Sequence, residues 1–160
     1  MRGMRYIGAA LALWLAACAP VPSVLAQQET AMFTADDLDK LDFLLGRWVC
    51  TGPDGKPFYE AYRRTDAATL VSERYSDATY FKIIDGSTVA YADGRFTSTW
   101  GEFTWTADRI EDGFASFVPA NAPSAFTWRR VDARTVEVTQ NWTDENGVAQ
   151  SYALQLTRAE

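Results

Sequence analysis

The strongest constraint on this chain is a change of hydrophobic period at Gly46. Before it, Leu38, Leu41 and Leu45 recur at helical spacing, whereas from Arg47 to the C-terminus apolar and polar residues alternate with the period of two that belongs to strands. Thr34 is a favourable N-cap with Asp37 three residues on, and Phe33 and Leu38 stand where a hydrophobic staple would form. The pattern predicts one short α-helix from about Ala35 to Leu45, stopped by Gly46. Beyond it, Pro53-Asp54-Gly55, Asp85-Gly86, Asp93-Gly94, Asp112-Gly113 and Asn146-Gly147 are turn signals between runs rich in Val, Thr, Tyr, Phe and Trp. They predict eight to ten short antiparallel strands.

The last two runs show that each strand has one wet face. Val136, Val138 and Trp142 alternate with Thr135, Glu137, Thr139 and Asn141, and Tyr152, Leu154, Leu156 and Arg158 alternate with Ser151, Ala153, Gln155 and Thr157. A one-sided meander with a single helix to cover it removes its own edges by curling into a closed barrel. The expected fold is therefore all-β: an antiparallel meander closed as a β-barrel of 8–10 strands, capped by one short N-terminal helix, with a two-sheet sandwich as the alternative.

Leu41-Asp42-Phe43-Leu44-Leu45-Gly46-Arg47-Trp48 runs a short helix into a Gly-x-Trp on the first strand. This segment resembles the opening motif of the lipocalins (calycins). From about Leu41 to Arg158 the chain is similar to small bacterial lipocalin-like families of unassigned function that begin with Leu-x-x-Leu-x-Gly-x-Trp. The resemblance implies that Trp48 closes the barrel floor and that Arg158, inward-facing by the alternation above, packs across it as a structural plug.

Eight strands can fill their interior with side chains or keep a cavity for one small ligand. Phe96, Ser98 and Trp100 share a face, as do Phe103, Trp105 and Ala107 after a Gly101-Glu102 turn, and Phe126 and Trp128 repeat the spacing. Such rings are what a small barrel uses as core. The functional alternative makes Tyr62, Phe96, Trp100, Phe103, Trp105, Phe126 and Trp128 the lining of an apolar cup whose mouth lies opposite Trp48. Phe58, Glu60, Tyr62 and Arg64 form one face of the second strand, and Val71, Glu73 and Tyr75 one face of the third. Pointing inward, Glu60 or Glu73 beside a tyrosine and Arg64 would orient a ligand or transfer a proton; pointing outward, they would form a ladder of charge pairs. Outward is the expectation for Glu73, and Glu60, with more aromatic neighbours, is compatible with either direction. Glu60, Tyr62 and Glu73 are accordingly the weak catalytic candidates.

The N-terminus sets location. Arg2 and Arg5 precede an apolar run ending in Leu15-Ala16-Ala17-Cys18, which resembles the lipobox of a bacterial lipoprotein signal peptide. The resemblance implies that residues 1–17 are removed and that Cys18 is acylated, with several acyl chains together anchoring firmly. Residues 18–33 then read as a flexible tether and residues 34–160 as the barrel domain. Val24-Leu25-Ala26 offers an alternative cleavage after Ala26 that would release a soluble periplasmic or secreted protein. Ala19 after Cys18 resembles the outer-membrane sorting pattern of enterobacterial lipoproteins.

Several function classes are excluded. Loss of residues 1–17 removes two arginines from the 15 basic residues and none of the 21 acidic ones, and the resulting excess of negative charge, without a Lys/Arg block, argues against nucleic acid as a partner. The chain has no histidine, which removes the commonest metal ligand and the Ser-His and Cys-His nucleophile systems. Cys18 is lipidated or cleaved away, so Cys50 has no intrachain partner and reads as a small buried strand residue. No metal and no cofactor is expected. The expectation is a non-enzymatic envelope lipoprotein on the periplasmic side that binds a small hydrophobic or amphipathic ligand. The alternatives are a cyclase- or isomerase-type enzyme using Glu60, Tyr62 or Glu73, and a filled-barrel interaction module.

Overall fold

The computed structural model describes residues 32–160; the signal-peptide, Cys18 and alternative-cleavage expectations lie outside the described residues. Ten antiparallel strands follow one helix: β1 (Gly46–Thr51), β2 (Pro57–Asp66), β3 (Thr69–Tyr75), β4 (Ile83–Ala92), β5 (Arg95–Trp100), β6 (Phe103–Glu111), β7 (Phe114–Pro119), β8 (Ala125–Arg130), β9 (Thr135–Thr143) and β10 (Ala149–Arg158). Each strand pairs with the next, and β1 pairs with β10, so the meander closes into a barrel rather than a sandwich. Closure is set by Trp48 opposite Arg158 and Val49 opposite Thr157.

The helix departs from the sequence expectation. It is a 3₁₀ helix over Ala35–Leu44 rather than an α-helix to Leu45, and it buries Leu38, Leu41 and Leu44. The reason is the spacing: leucines three apart eclipse one another in a helix of three residues per turn, so Leu44 takes the buried place expected of Leu45. The Asp37 carboxylate accepts the backbone N–H of Thr34 at 2.7 Å and its hydroxyl at 3.1 Å, which fixes the helix start. Folded structure already includes Phe33, whose N–H donates to the Gly94 carbonyl at 2.9 Å and whose ring meets Phe96 edge-on.

This helix lies across one end of the barrel, the floor. Trp48 Nε1 donates to the Leu44 carbonyl at 2.6 Å. The Arg158 guanidinium lies 4.4 Å from the centre of the Trp48 ring and donates to the Leu45 carbonyl at 2.8 Å. Gly46 is required between them. Its φ is +119°, and a Cβ there would stand 2.5 Å from Arg158 Nη1, so only glycine lets the arginine reach the helix end. Arg64 belongs to this end too, bonding Asp42 at 2.9 Å and Asp39 at 2.7 Å on the helix; it braces the floor and is not a ligand-orienting group. Above the helix a fully buried layer of Leu70, Val89, Phe96, Ala115, Val136 and Leu156 fills the lower barrel.

One turn signal misled. Asp85-Gly86 lies inside β4, and the β3–β4 connection runs through residues 76–82 instead. Gly86 faces Glu73 across the ladder, and a Cβ on it would lie 2.5 Å from the Ser72 carbonyl oxygen; the glycine answers a close backbone approach rather than a reversal.

The floor generates a stability prediction. Trp48→Ala should cost roughly 3–5 kcal/mol, and Gly46→Ala about 2 kcal/mol or more through its positive φ and the displaced guanidinium. Urea denaturation of the Gly46→Ala and Arg158→Ala single and double variants should give non-additive losses, since the clash needs both side chains; additive losses would separate Gly46 from Arg158.

Candidate functional site

The upper half of the barrel is not filled. A cavity of about 420 Å³ opens at the end opposite the helix, within the size range of small-molecule sites. Its two sides differ in chemistry. On one stand Phe103 and Trp105 of β6 and Phe126 and Trp128 of β8; on the other stand Glu60 and Tyr62 of β2, Ser72 and Arg74 of β3, and Asp85 and Ser87 of β4. Strand alternation turns these side chains inward: Ser72 and Arg74 share the parity of the buried Leu70 on β3, Asp85 and Ser87 that of Val89 on β4, and Trp100 that of Phe96 on β5.

The aromatic side is a continuous packed array. Phe126 stacks on the buried Phe117 at 4.8 Å and 10°. Trp105 meets Phe126 edge-on at 5.5 Å, and Tyr62 meets Trp128 edge-on at 5.8 Å. Trp105 Nε1 donates to the Ser124 carbonyl at 2.6 Å, which leaves its ring face for the cavity. Trp100 closes the rim, donating to Asp85 Oδ1 at 2.6 Å. Thus six of the seven lining residues expected from sequence, Tyr62, Trp100, Phe103, Trp105, Phe126 and Trp128, surround the cavity. Phe96 does not. It is fully buried in the floor layer against Phe33 and Tyr91, because β5 reaches the floor with its first residues and the mouth with its last.

On the polar side Glu60 faces inward at 9% exposure, and its Oε2 accepts the Tyr62 hydroxyl at 3.0 Å. Burial raises the Glu60 carboxyl above its ordinary value, against the opposing pull of Arg74 and of hydrogen bonds from Tyr62 and Ser72. Burial and the neighbouring Glu60 charge raise the Tyr62 phenol in turn. Cys50 is the buried strand thiol that its sequence context suggests, pushed up to about 11 mainly by burial, which removes thiolate character. Glu73 points the other way. It accepts Arg63 at 2.6 Å and the Tyr75 hydroxyl at 2.7 Å on the outer face, and the Arg63 hydrogen bond holds it below the usual carboxylate range; it has no access to the cavity and leaves the catalytic candidates.

Sequence reasoning missed Ser72, Arg74 and Asp85. An outward Glu73 obliges Ser72 and Arg74 to face inward, so the third strand carried that signal. Asp85 was hidden by its resemblance to a turn. Arg74 is the unusual member. Its guanidinium lies 4.4 Å from the centre of the Phe58 ring and 3.8 Å from Asp85, and its buried Nε has no hydrogen-bond partner. Among the described residues no group of three or more acidic or cysteine side chains gathers to hold a metal ion.

No protein-family model and no curated protein matches this chain. Among solved structures it is similar to a redesigned β-barrel at 13% identity and a TM-score of 0.35, over 74% of this chain and 94% of that one. The site is therefore read from its own geometry.

The raised Glu60 carboxyl predicts a pH dependence of stability. Folding favours the neutral acid, so this contribution is fully present below the ordinary value of 4.5 and is lost as pH rises through the higher folded value. Glu60→Gln should be at least as stable as the parent at neutral pH, the two curves converging toward acid pH in denaturant titrations. A parent clearly more stable at neutral pH would mean that Glu60 is ionised and paired.

Proposed function

We propose that this protein is an envelope lipoprotein whose barrel binds a small amphipathic molecule in the cavity opposite its helix-sealed floor. The observation that carries the reading is the Glu60 carboxyl, buried in a cavity whose facing wall is aromatic. A barrel closed only for structure gains nothing from a carboxyl there, because burying a polar group without a full set of partners costs roughly 1–3 kcal/mol by protein mutational data. Such a cost persists where a bound molecule uses the group. The aromatic array supplies apolar contact area, and the opposite wall supplies hydrogen bonds that orient one polar end.

Anchoring rests on the Leu15-Ala16-Ala17-Cys18 segment. The described chain enters the fold at Met32 and Phe33 beside Gly94, at the floor end of the barrel and away from the cavity mouth. A second reading, proton-transfer catalysis, is favoured by one observation, the contact of Glu60 with Tyr62 at the cavity wall. It predicts a bell-shaped pH profile and loss of turnover in Glu60→Gln.

Two experiments test the reading. Native mass spectrometry of protein secreted to a bacterial periplasm should find a stoichiometric small molecule that is lost in Trp100→Ala and Trp128→Ala; a mass that stays free of ligand after incubation with fatty acids and a lipid extract contradicts binding. Cys18→Ala should move the protein from the membrane to the soluble fraction, and unchanged fractionation contradicts the anchor.

A further inference from the structure

Arg74 sits in the cavity wall with hydrogen-bonding capacity that the protein leaves unfilled. Its Nε is buried without a partner, and its nearest carboxylate, Asp85, stays at 3.8 Å. Asp85 is held there by other donors, accepting Trp100 Nε1 at 2.6 Å and the Gly86 N–H at 2.7 Å. The Phe58 ring supports the guanidinium from one side and so fixes the plane in which its N–H groups point. Directly across the β2–β3 ladder from Arg74 stands Glu60, also facing the cavity. The two form no ion pair within 4 Å among the described residues, although neighbours of opposite charge would ordinarily satisfy each other.

We infer, resting on the cavity-binding reading above, that the ligand is a carboxylate-bearing amphiphile: its carboxylate sits between the Arg74 guanidinium and the Glu60 carboxyl, with Glu60 carrying the proton, and its apolar body lies against Trp105, Phe126 and Trp128. A carboxylate has two oxygens and about four lone-pair directions. One oxygen accepts from the planar guanidinium fork, a geometry matched to that anion, and the other accepts the Glu60 O–H. A cationic ligand would place its charge beside Arg74. A neutral carbonyl would fill one donor and leave the guanidinium charge served only by the distant Asp85.

The proton balance is explicit. An ionised Glu60 would repel the bound carboxylate, so binding selects the neutral acid, and where Glu60 is ionised in the free protein it takes one proton from solvent as the ligand enters. The groups facing Glu60 are Cys50 of β1, Tyr62 of its own strand, Ser72 and Arg74 of β3 and Asp85 of β4, and the cavity walls from β5, β6, β8, β9 and β10 bring no further charged side chain. The Cys50 thiol, up to about 11, and the raised Tyr62 phenol both keep their protons through the neutral range. Glu60 is thus the group that gives the binding its pH dependence.

The test titrates the protein with 2-naphthoate and with 2-naphthamide, a neutral probe of the same shape, by calorimetry from about pH 6 to about pH 9, a window above the ordinary carboxylate range. The naphthoate should bind tenfold or more tightly than the amide at the acid end, and its affinity should fall with rising pH, approaching about tenfold per unit once Glu60 is ionised in the free protein. Arg74→Gln should abolish the preference while keeping amide binding, which also shows that the variant is folded. Glu60→Gln, which can still donate, should keep naphthoate binding and lose the pH dependence. Equal binding of the two probes, a preference surviving in Arg74→Gln, or an unchanged pH slope in Glu60→Gln overturns the headgroup assignment and leaves cavity binding standing. Binding of neither probe removes both.

Discussion

The structure depends on one contact, the stacking of Arg158 on Trp48 beneath the end of the 3₁₀ helix. The last carbonyls of any helix lack partners within it, and here the barrel provides them: Trp48 Nε1 serves Leu44 and Arg158 Nη1 serves Leu45. The same two residues face each other where β1 meets β10, so helix docking and barrel closure are a single event. A cation over an indole ring, partly desolvated, is worth on the order of 1–2 kcal/mol. Its larger effect is geometric. With the floor plugged by Trp48 and the three helix leucines, water and ligand reach the interior from the other end alone.

That asymmetry divides the interior into two layers of opposite design. The lower layer is closely packed aliphatic and aromatic core; the upper keeps a cavity with a hard aromatic wall and a polar wall. Aromatic packing holds the first in shape without ligand, since Phe117 and Phe126 stack while Trp105 and Trp128 meet them edge to face. The polar wall is less self-sufficient. Glu60 is partly served by Tyr62, Ser72 and Ser87 share a hydrogen bond at 2.8 Å, and Arg74 has Asp85 at 3.8 Å and an Nε with no partner. Beside Glu60, whose burial favours the neutral acid, the unpartnered Arg74 Nε is the feature on which the proposed preference for an acidic ligand rests.

Much of this was legible in the sequence because barrel strands alternate with a two-residue period, broken here at bulges such as that between Ala107 and Arg109. Alternation in the last hairpin placed Val136, Leu154 and Leu156 inside, and four Asp-Gly or Asn-Gly signals marked real turns. The misreadings came from residues whose local chemistry has two uses. Asp85-Gly86 has turn composition but serves a tight ladder position and a rim hydrogen bond. Leu44 and Leu45 are indistinguishable until the helix pitch is known, and pitch is decided by how the leucines fit the barrel end. Glu60 and Glu73 each stand two residues before a tyrosine and point in opposite directions; the aromatic neighbours of Glu60 left its direction open, and the structure turns it inward. Arg74 carried no motif at all, because its distinction is a missing partner, a property of three-dimensional packing.

The central claim is that the barrel is sealed at the Trp48 end and hollow at the other. A crystal structure under xenon pressure tests it directly, since xenon occupies apolar voids large enough to hold it. Xenon should appear against Trp105, Phe126 and Trp128 and be absent around Trp48, Leu41 and Leu44. Xenon at the floor, or an upper barrel closed by collapsed side chains, would contradict the account.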